Sequence, residues 1–127
     1  VWSFPMLRTF LMLAAFFGFT GVALGAFAAH GLKSKLTPAY LAVFQTGVHY
    51  QMLHALALFG VALLSAHIGG TLVSLAGWAF TVGILLFSGS LYLLTLAGLG
   101  VGIITPIGGL FFLIGWALLL VAAFQLG

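Results

Sequence analysis

Three of the 127 side chains carry a formal charge, Arg8, Lys33 and Lys35, and no acid balances them, because the sequence has neither Asp nor Glu. A soluble domain commits about a quarter of its residues to charge. With 2% charged and 65% hydrophobic residues, no water-facing surface can be built. The chain must instead bury its outer face in lipid, and there only helices or a closed barrel satisfy the backbone. Long apolar runs favour helices, so the expected fold is all-α: an integral membrane bundle of four transmembrane helices in one domain.

The missing acids also restrict the chemistry. No carboxylate is available for general acid–base catalysis, for Mg²⁺ or Ca²⁺ ligation, or for a proton relay. The absence of Cys removes disulfides, thiol chemistry and Cys-ligated zinc or iron–sulfur sites. Nucleic-acid binding would need clustered Lys and Arg in a water-filled groove, which three scattered cations do not supply. Those cations cannot pair with a carboxylate side chain of this chain, so lipid phosphates, water or another protein must face them.

Hydropathy and punctuation place the spans at about 7–29, 47–65, 71–96 and 106–124. The first is read as a retained helix and not as a signal peptide, since it runs into Ala-Ala-His-Gly-Leu without a clean cleavage site and more spans follow. The segment before Met6, Val1 to Pro5, reads either as an alternative start or as part of an upstream segment. Between the first two spans lies a polar connection with His30, Lys33 and Lys35. Thr37-Pro38 then has the form of an N-cap followed by proline at the first helical position. A helix from Pro38 to Ser65 would be roughly 40 Å long, more than a ~30 Å hydrocarbon core needs. Residues 38–46 are therefore expected as a short interfacial helix that bends at Thr46-Gly47, with a single tilted helix as the alternative. His67-Ile68-Gly69-Gly70 forms a turn, and Thr105-Pro106 repeats the cap-and-proline signal before the fourth span. An even number of spans puts both termini on one side. The positive-inside rule then favours a cytoplasmic first loop by a margin of one charge.

Small residues mark where helices can approach. In the first span Ala14, Gly18, Gly21, Gly25 and Ala29 recur at steps of three or four. Gly77 and Ser88 in the third span and Gly108, Gly109 and Gly115 in the fourth extend the packing set. Packing within the bundle is the expected use, and a homodimer seam is the sharper alternative. Hydroxyls at Ser74, Thr81, Ser88, Tyr92 and Thr95 share one face of the third span and should point at protein. Trp116 lies too deep for an interfacial anchor, so its indole N–H should find an internal partner.

The candidate polar cluster is His30, His49, Tyr50, Gln51, His54 and Tyr92, all near one membrane face by spacing. On the second span Gly47, Gln51, His54, Leu58, Val61 and Ser65 share a stripe, which aims His54 inward and His49 toward the headgroups. Structural hydrogen bonding is the first use to expect of a buried imidazole. Other uses are copper held by His30, His49 and His54 with Met52, haem between His30 and His54, and passage of protons or solutes past His54. Gly-rich faces leave little room for a macrocycle. Ser88-Gly89-Ser90 lacks the strained turn that exposes a nucleophilic serine.

Four segments carry a family resemblance. Gly25-Ala-Phe-Ala-Ala-His30-Gly-Leu, Thr46-Gly-Val-His-Tyr50-Gln-Met-Leu-His54-Ala-Leu-Ala-Leu, Leu86-Phe-Ser-Gly-Ser-Leu-Tyr92, and Thr105-Pro-Ile-Gly-Gly109 with Gly115-Trp116 resemble the small bacterial membrane proteins of the domain-of-unknown-function 423 family. That family has a mitochondrial-animal relative. The resemblance implies four spans in the bacterial inner membrane and recurring positions at His30, Tyr50, Gln51, His54, Ser88, Tyr92, Thr105, Pro106 and Trp116. His49 falls outside that set, which weakens a three-histidine metal site. The total lack of acids departs from family members with some loop charge. No activity is carried over by the resemblance. The expectation is a non-enzymatic membrane protein without a cofactor or metal, acting by helix packing as a self-associating bundle or an accessory subunit. The alternative is binding or transport through His30 and His54.

Overall fold

The computed structural model describes residues 3–68 and 70–126, with side chains from Met6 onward. Val1, Trp2 and Gly69, which figure in the expectations for the start of the chain and the second turn, lie outside the described residues. Helices α1 (Ser3–His30), α2 (Pro38–His67), α3 (Thr71–Gly83), α4 (Gly89–Ala97) and α5 (Ile104–Phe124) follow in order. A π-helical turn, Ile84–Ser88, joins α3 to α4 into one continuous rod. Four segments are long and apolar enough to cross a membrane: Met6–His30, Pro38–His67, Thr71–Ala97 and Ile104–Phe124. No strand occurs among the described residues. The fold is the expected all-α bundle of four spans.

Helix α2 runs unbroken through Thr46 and Gly47, where a bend was expected, so the single long helix is the form adopted. The reason lies in what Gly47 does. A Cβ there would stand 3.0 Å from the Tyr92 ring and 3.4 Å from Leu91, and the Gly47 carbonyl accepts a 2.7 Å hydrogen bond from Ser88 Oγ. The glycine admits a neighbouring helix and leaves its own helix intact. The Thr46 hydroxyl is satisfied locally, donating to the Ala42 carbonyl at 3.0 Å.

Thr37 caps α2 as expected, accepting the Tyr40 N–H at 3.2 Å, with Pro38 in the first turn. The matching expectation for Thr105 fails. Helix α5 begins at Ile104, and no side chain caps it. Thr105 lies inside the first turn and shares a hydrogen bond with the Ser90 hydroxyl. Pro106 still fits, because first-turn amides have no intrahelical acceptor. The rod of α3 and α4 ends where Gly98 turns left-handed at φ +67°.

The packing order follows the chain. Helix α1 lies along α2, α2 along the α3–α4 rod, and the rod along α5. Among the described residues, no Cα of α2 comes within 8 Å of α5, and none of α1 does either. The rod is therefore the middle partner, and a gap between α2 and α5 must be filled by side chains. Phe10, Phe17, Leu58, Val61, Phe80 and Phe112 head the larger apolar core, while Ala28, Leu32 and Phe44 form a second at the α1–α2 turn.

Small residues set the closest crossings. Gly77 receives the Phe10 ring, Gly83 that of Phe112 and Gly115 that of Phe80. Gly108 lies directly against the Phe87 backbone. The π turn sits where the rod is held from both sides, by Ser88 on Gly47 and Phe87 on Gly108. Its extra residue leaves the Gly89 N–H bonded to the Ile84 carbonyl, five residues back.

Candidate functional site

The inward stripe of α2 builds the polar interior. Buried positions on that helix include Gly47, Gln51, His54, Leu58, Val61 and Ser65, the register read from the sequence. Gln51, 3% exposed, is the hub. Its Nε2 donates to the Phe17 carbonyl and to Thr20 Oγ1, both at 2.9 Å, and its Oε1 accepts the Tyr92 hydroxyl at 2.7 Å. One amide thus ties α1, α2 and the α3–α4 rod together. The amide is oriented by its partners, since a carbonyl can only accept.

Three residues on, His54 closes the gap to α5. Its Nδ1 lies 2.9 Å from the Tyr50 carbonyl, and its Nε2 lies 3.0 Å from Trp116 Nε1. The carbonyl can only accept and the indole N–H can only donate. Together they select the neutral imidazole with its hydrogen on Nδ1 and its lone pair on Nε2. The ring stacks on Phe112 with centroids 3.7 Å apart and planes 8° from parallel. Phe80 and Trp116 flank it at 5.4 and 5.9 Å, and Tyr50 lies parallel at 6.2 Å. Aromatic rings fill the space that the two backbones leave between them. Trp116 is 49% exposed, so its N–H faces the interior while part of its ring faces outward.

The remaining polar groups are closed in the same way. Ser65, Thr81 and Thr95 each bond to a carbonyl four residues back, and Ser90 bonds to the Phe87 carbonyl and to Thr105. Among the described residues, no buried side-chain nitrogen or oxygen lacks a partner.

The six candidate residues separate into two populations. Gln51 and Tyr92 are bonded to one another, and Tyr50 and His54 stack. His30 and His49 are exposed, and Tyr50 is 38% exposed at the edge of the stack. His30 Nδ1 turns back to the Ala26 carbonyl at 2.9 Å, and His49 meets only the edge of Tyr50 among ring contacts. Met52 lies over Gly21, toward α1. No group of three His, Cys, Asp or Glu capable of holding a metal ion occurs among the described residues. His54 Nε2 could reach a metal or a haem iron only by giving up the Trp116 bond.

Of the expected packing residues, Gly21, Gly77, Gly108 and Gly115 meet a neighbouring helix closely, a Cβ on Gly25 would stand 3.4 Å from Val48, and Ser88 bonds across to Gly47. A Cβ on Gly109 would make only ordinary contact, with Phe87 at 3.8 Å. Gly18 is different, because nothing lies within 4 Å of where its Cβ would stand. It opens onto an apolar groove of about 280 Å³ between α1 and α2, lined by Leu11, Ala15, Met52, Leu56 and Phe59 among others. Three participants went unread in the sequence: Phe112, Thr20 and the Ser90–Thr105 pair. One Phe among 13 carries no mark of which ring will stack, whereas Thr20, on the Gly-rich helix, was a signal that could have been used.

Comparison with known proteins agrees with this layout. The family model described as "Protein of unknown function (DUF423)" matches residues 24–109. The chain is 47% identical over 119 residues to the UPF0382 membrane protein YwdK of Bacillus subtilis, covering 92% of this chain and 97% of that protein. It is 47% identical over 121 residues to a UPF0382 membrane protein of Haemophilus influenzae, covering 94% and 97%, and 43% identical over 122 residues to UPF0382 membrane protein SAB0533 of Staphylococcus aureus, covering 94% and 98%. No solved structure matches. With four spans, a family model across its centre and bacterial relatives matched over nearly their full length, the chain belongs to the DUF423 family of membrane proteins.

Proposed function

We propose that this protein is a non-enzymatic component of the bacterial cytoplasmic membrane that acts by helix packing, self-associating through the outer flank of α1 and α2. The observation that carries this reading is the groove at Gly18. Gly77, Gly83, Gly108 and Gly115 are filled by a ring or a backbone, whereas Gly18, like Gly60 and Gly89, has nothing where its Cβ would stand, and it opens onto an apolar groove. Beside it on α1 stand Met12, Phe16 and Phe19, which are 60%, 59% and 78% exposed. A groove and a ridge on one helix are self-complementary about a two-fold axis, the geometry of an isologous dimer. Lipid supplies no hydrophobic drive for association, so close packing at small residues is what such a contact relies on.

The closed interior supports the same reading. His54 spends both nitrogens on structural bonds, the Ser88 hydroxyl is given to a carbonyl, and the sequence offers no acid or thiol to activate a substrate. Helical spans, in place of a barrel, fit the cytoplasmic membrane of a bacterium.

The test is single-molecule photobleaching of the labelled chain in liposomes, with the protein-to-lipid ratio lowered in steps. Two-step bleaching that persists at high dilution and is lost in Gly18→Leu is the expected result. One-step bleaching at every ratio overturns self-association. If the chain is also monomeric in native membrane fragments and copurifies with no partner, action through packing is overturned as well.

A further inference from the structure

Two of the three cations sit on the turn between α1 and α2, and that turn is anchored. Leu32, 3% exposed, packs with Ala28 and Phe44, and Leu36 packs against the same cluster. The Lys35 and Leu36 N–H groups both bond to the Leu32 carbonyl at 3.0 Å. Thr37 then caps α2. With the leucines held inward, Lys33, Ser34 and Lys35 are exposed. They are presented at the common end of the spans Met6–His30 and Pro38–His67.

No carboxylate side chain is available to neutralise them. The sequence has no Asp or Glu, and the first turn of α2 adds the partial positive charge of its own amides. Ser34 and the 41%-exposed Tyr40 add hydroxyls in the same stretch. In a bilayer crossed by these two spans, the groups at the level of the turn are lipid headgroups. A phosphate there accepts hydrogen bonds from ammonium and hydroxyl donors and supplies the missing negative charge.

We infer that the α1–α2 turn, with Lys33 and Lys35 projected by the buried Leu32 and the half-buried Leu36, is a binding surface for the headgroup phosphate of anionic phospholipids. The shared chemistry is the phosphate anion, and the source is lipid because the cations stand at the end of two membrane spans. This does not depend on self-association through Gly18, which lies mid-way along α1.

The full chain is reconstituted in nanodiscs of equal phosphatidylglycerol and phosphatidylcholine, and the lipids it retains are counted by native mass spectrometry. Retained lipid should be enriched in phosphatidylglycerol. Each lysine near an anionic surface corresponds to about fivefold in affinity. Lys33→Gln should therefore lower the enrichment about fivefold, and the Lys33→Gln/Lys35→Gln double variant should lower it about thirtyfold, to the bulk ratio. Enrichment in the wild-type protein should fall as salt is raised, a result that stands even if the double variant fails to insert. Equal retention of both lipids, enrichment that survives the double substitution, or enrichment that ignores salt would overturn the inference. Displacement of the lipid by millimolar inorganic phosphate would also overturn it, in favour of a site for soluble phosphate.

Discussion

Replacing Gly108 by Ala puts a methyl group where the backbone of the α3–α4 rod already lies. Its Cβ would fall on the Phe87 nitrogen, 2.7 Å from that residue's Cα and 2.8 Å from its Cβ. Optimal carbon–carbon separation is about 3.5–4.0 Å, so α5 must move outward by on the order of 1 Å. A side chain could rotate aside, but the backbone of the π turn cannot. The same shift loosens Phe112 over Gly83, Phe80 over Gly115 and the Ser90–Thr105 bond. Overpacking of this kind costs about 1–3 kcal/mol, and a rigid obstacle belongs at the upper end. The Gly-to-Ala gain in helix propensity returns about 1 kcal/mol. The net loss is about 2 kcal/mol, or roughly thirtyfold in the unfolding equilibrium. Gly109 is the control next door. Its Cβ would meet only Phe87 Cδ2, at 3.8 Å, so Gly109→Ala should leave stability unchanged or raise it by up to about 1 kcal/mol. Reversible SDS-driven unfolding in mixed micelles, followed by circular dichroism, measures both. Equal effects at the two glycines would refute the account of the crossing between α5 and the π turn.

Gln51→Leu should destabilise the bundle by about 2 kcal/mol, since three interhelical bonds of about 0.6 kcal/mol each are lost and the Tyr92 hydroxyl is left without its acceptor. In the same unfolding assay Tyr92→Phe should cost less, because it removes one of the three bonds. Trp116→Phe keeps an aromatic ring, though a smaller one, and removes the donor to His54, for a loss of at least about 0.5–1.5 kcal/mol. The Trp116 indole proton should exchange slowly in the wild-type protein, and the ¹⁵N shifts of His54 should report hydrogen on Nδ1. An imidazole with its hydrogen on Nε2 would contradict the bonding described.

Much of this fold could be read from the chain because lipid imposes a strong rule. Every backbone polar group must be satisfied within the span, so long apolar runs became helices. The stripe on α2 was legible for the same reason: a polar side chain among apolar ones has to face protein, which put Gln51 and His54 inside and left His49 outside. What could not be read was which partner each would take. Tyr92 reaches Gln51 and His54 reaches Trp116, residues 41 and 62 positions apart, and only the order of helix packing decides such pairings. Gly47 shows the other difficulty. A glycine that bends a helix and one that admits a neighbour look alike in sequence, and here Ser88 and Tyr92 occupy the space it leaves. The π turn had no signal at all, since Ile84-Leu-Leu-Phe-Ser88 is an ordinary apolar run.

The central claim is that the closed interior is structural and that action lies on the outer flank of α1 and α2. Because the sequence contains no cysteine, single cysteines can be placed at Leu11, Ala15 and Gly18, and at Leu113 of α5 as an exposed control 68% accessible to its surroundings. Oxidative cross-linking in native membranes should give a homodimer from the three α1 positions and none from position 113. Cross-linking that is equal at all four positions, or that appears at 113 alone, would contradict the claim.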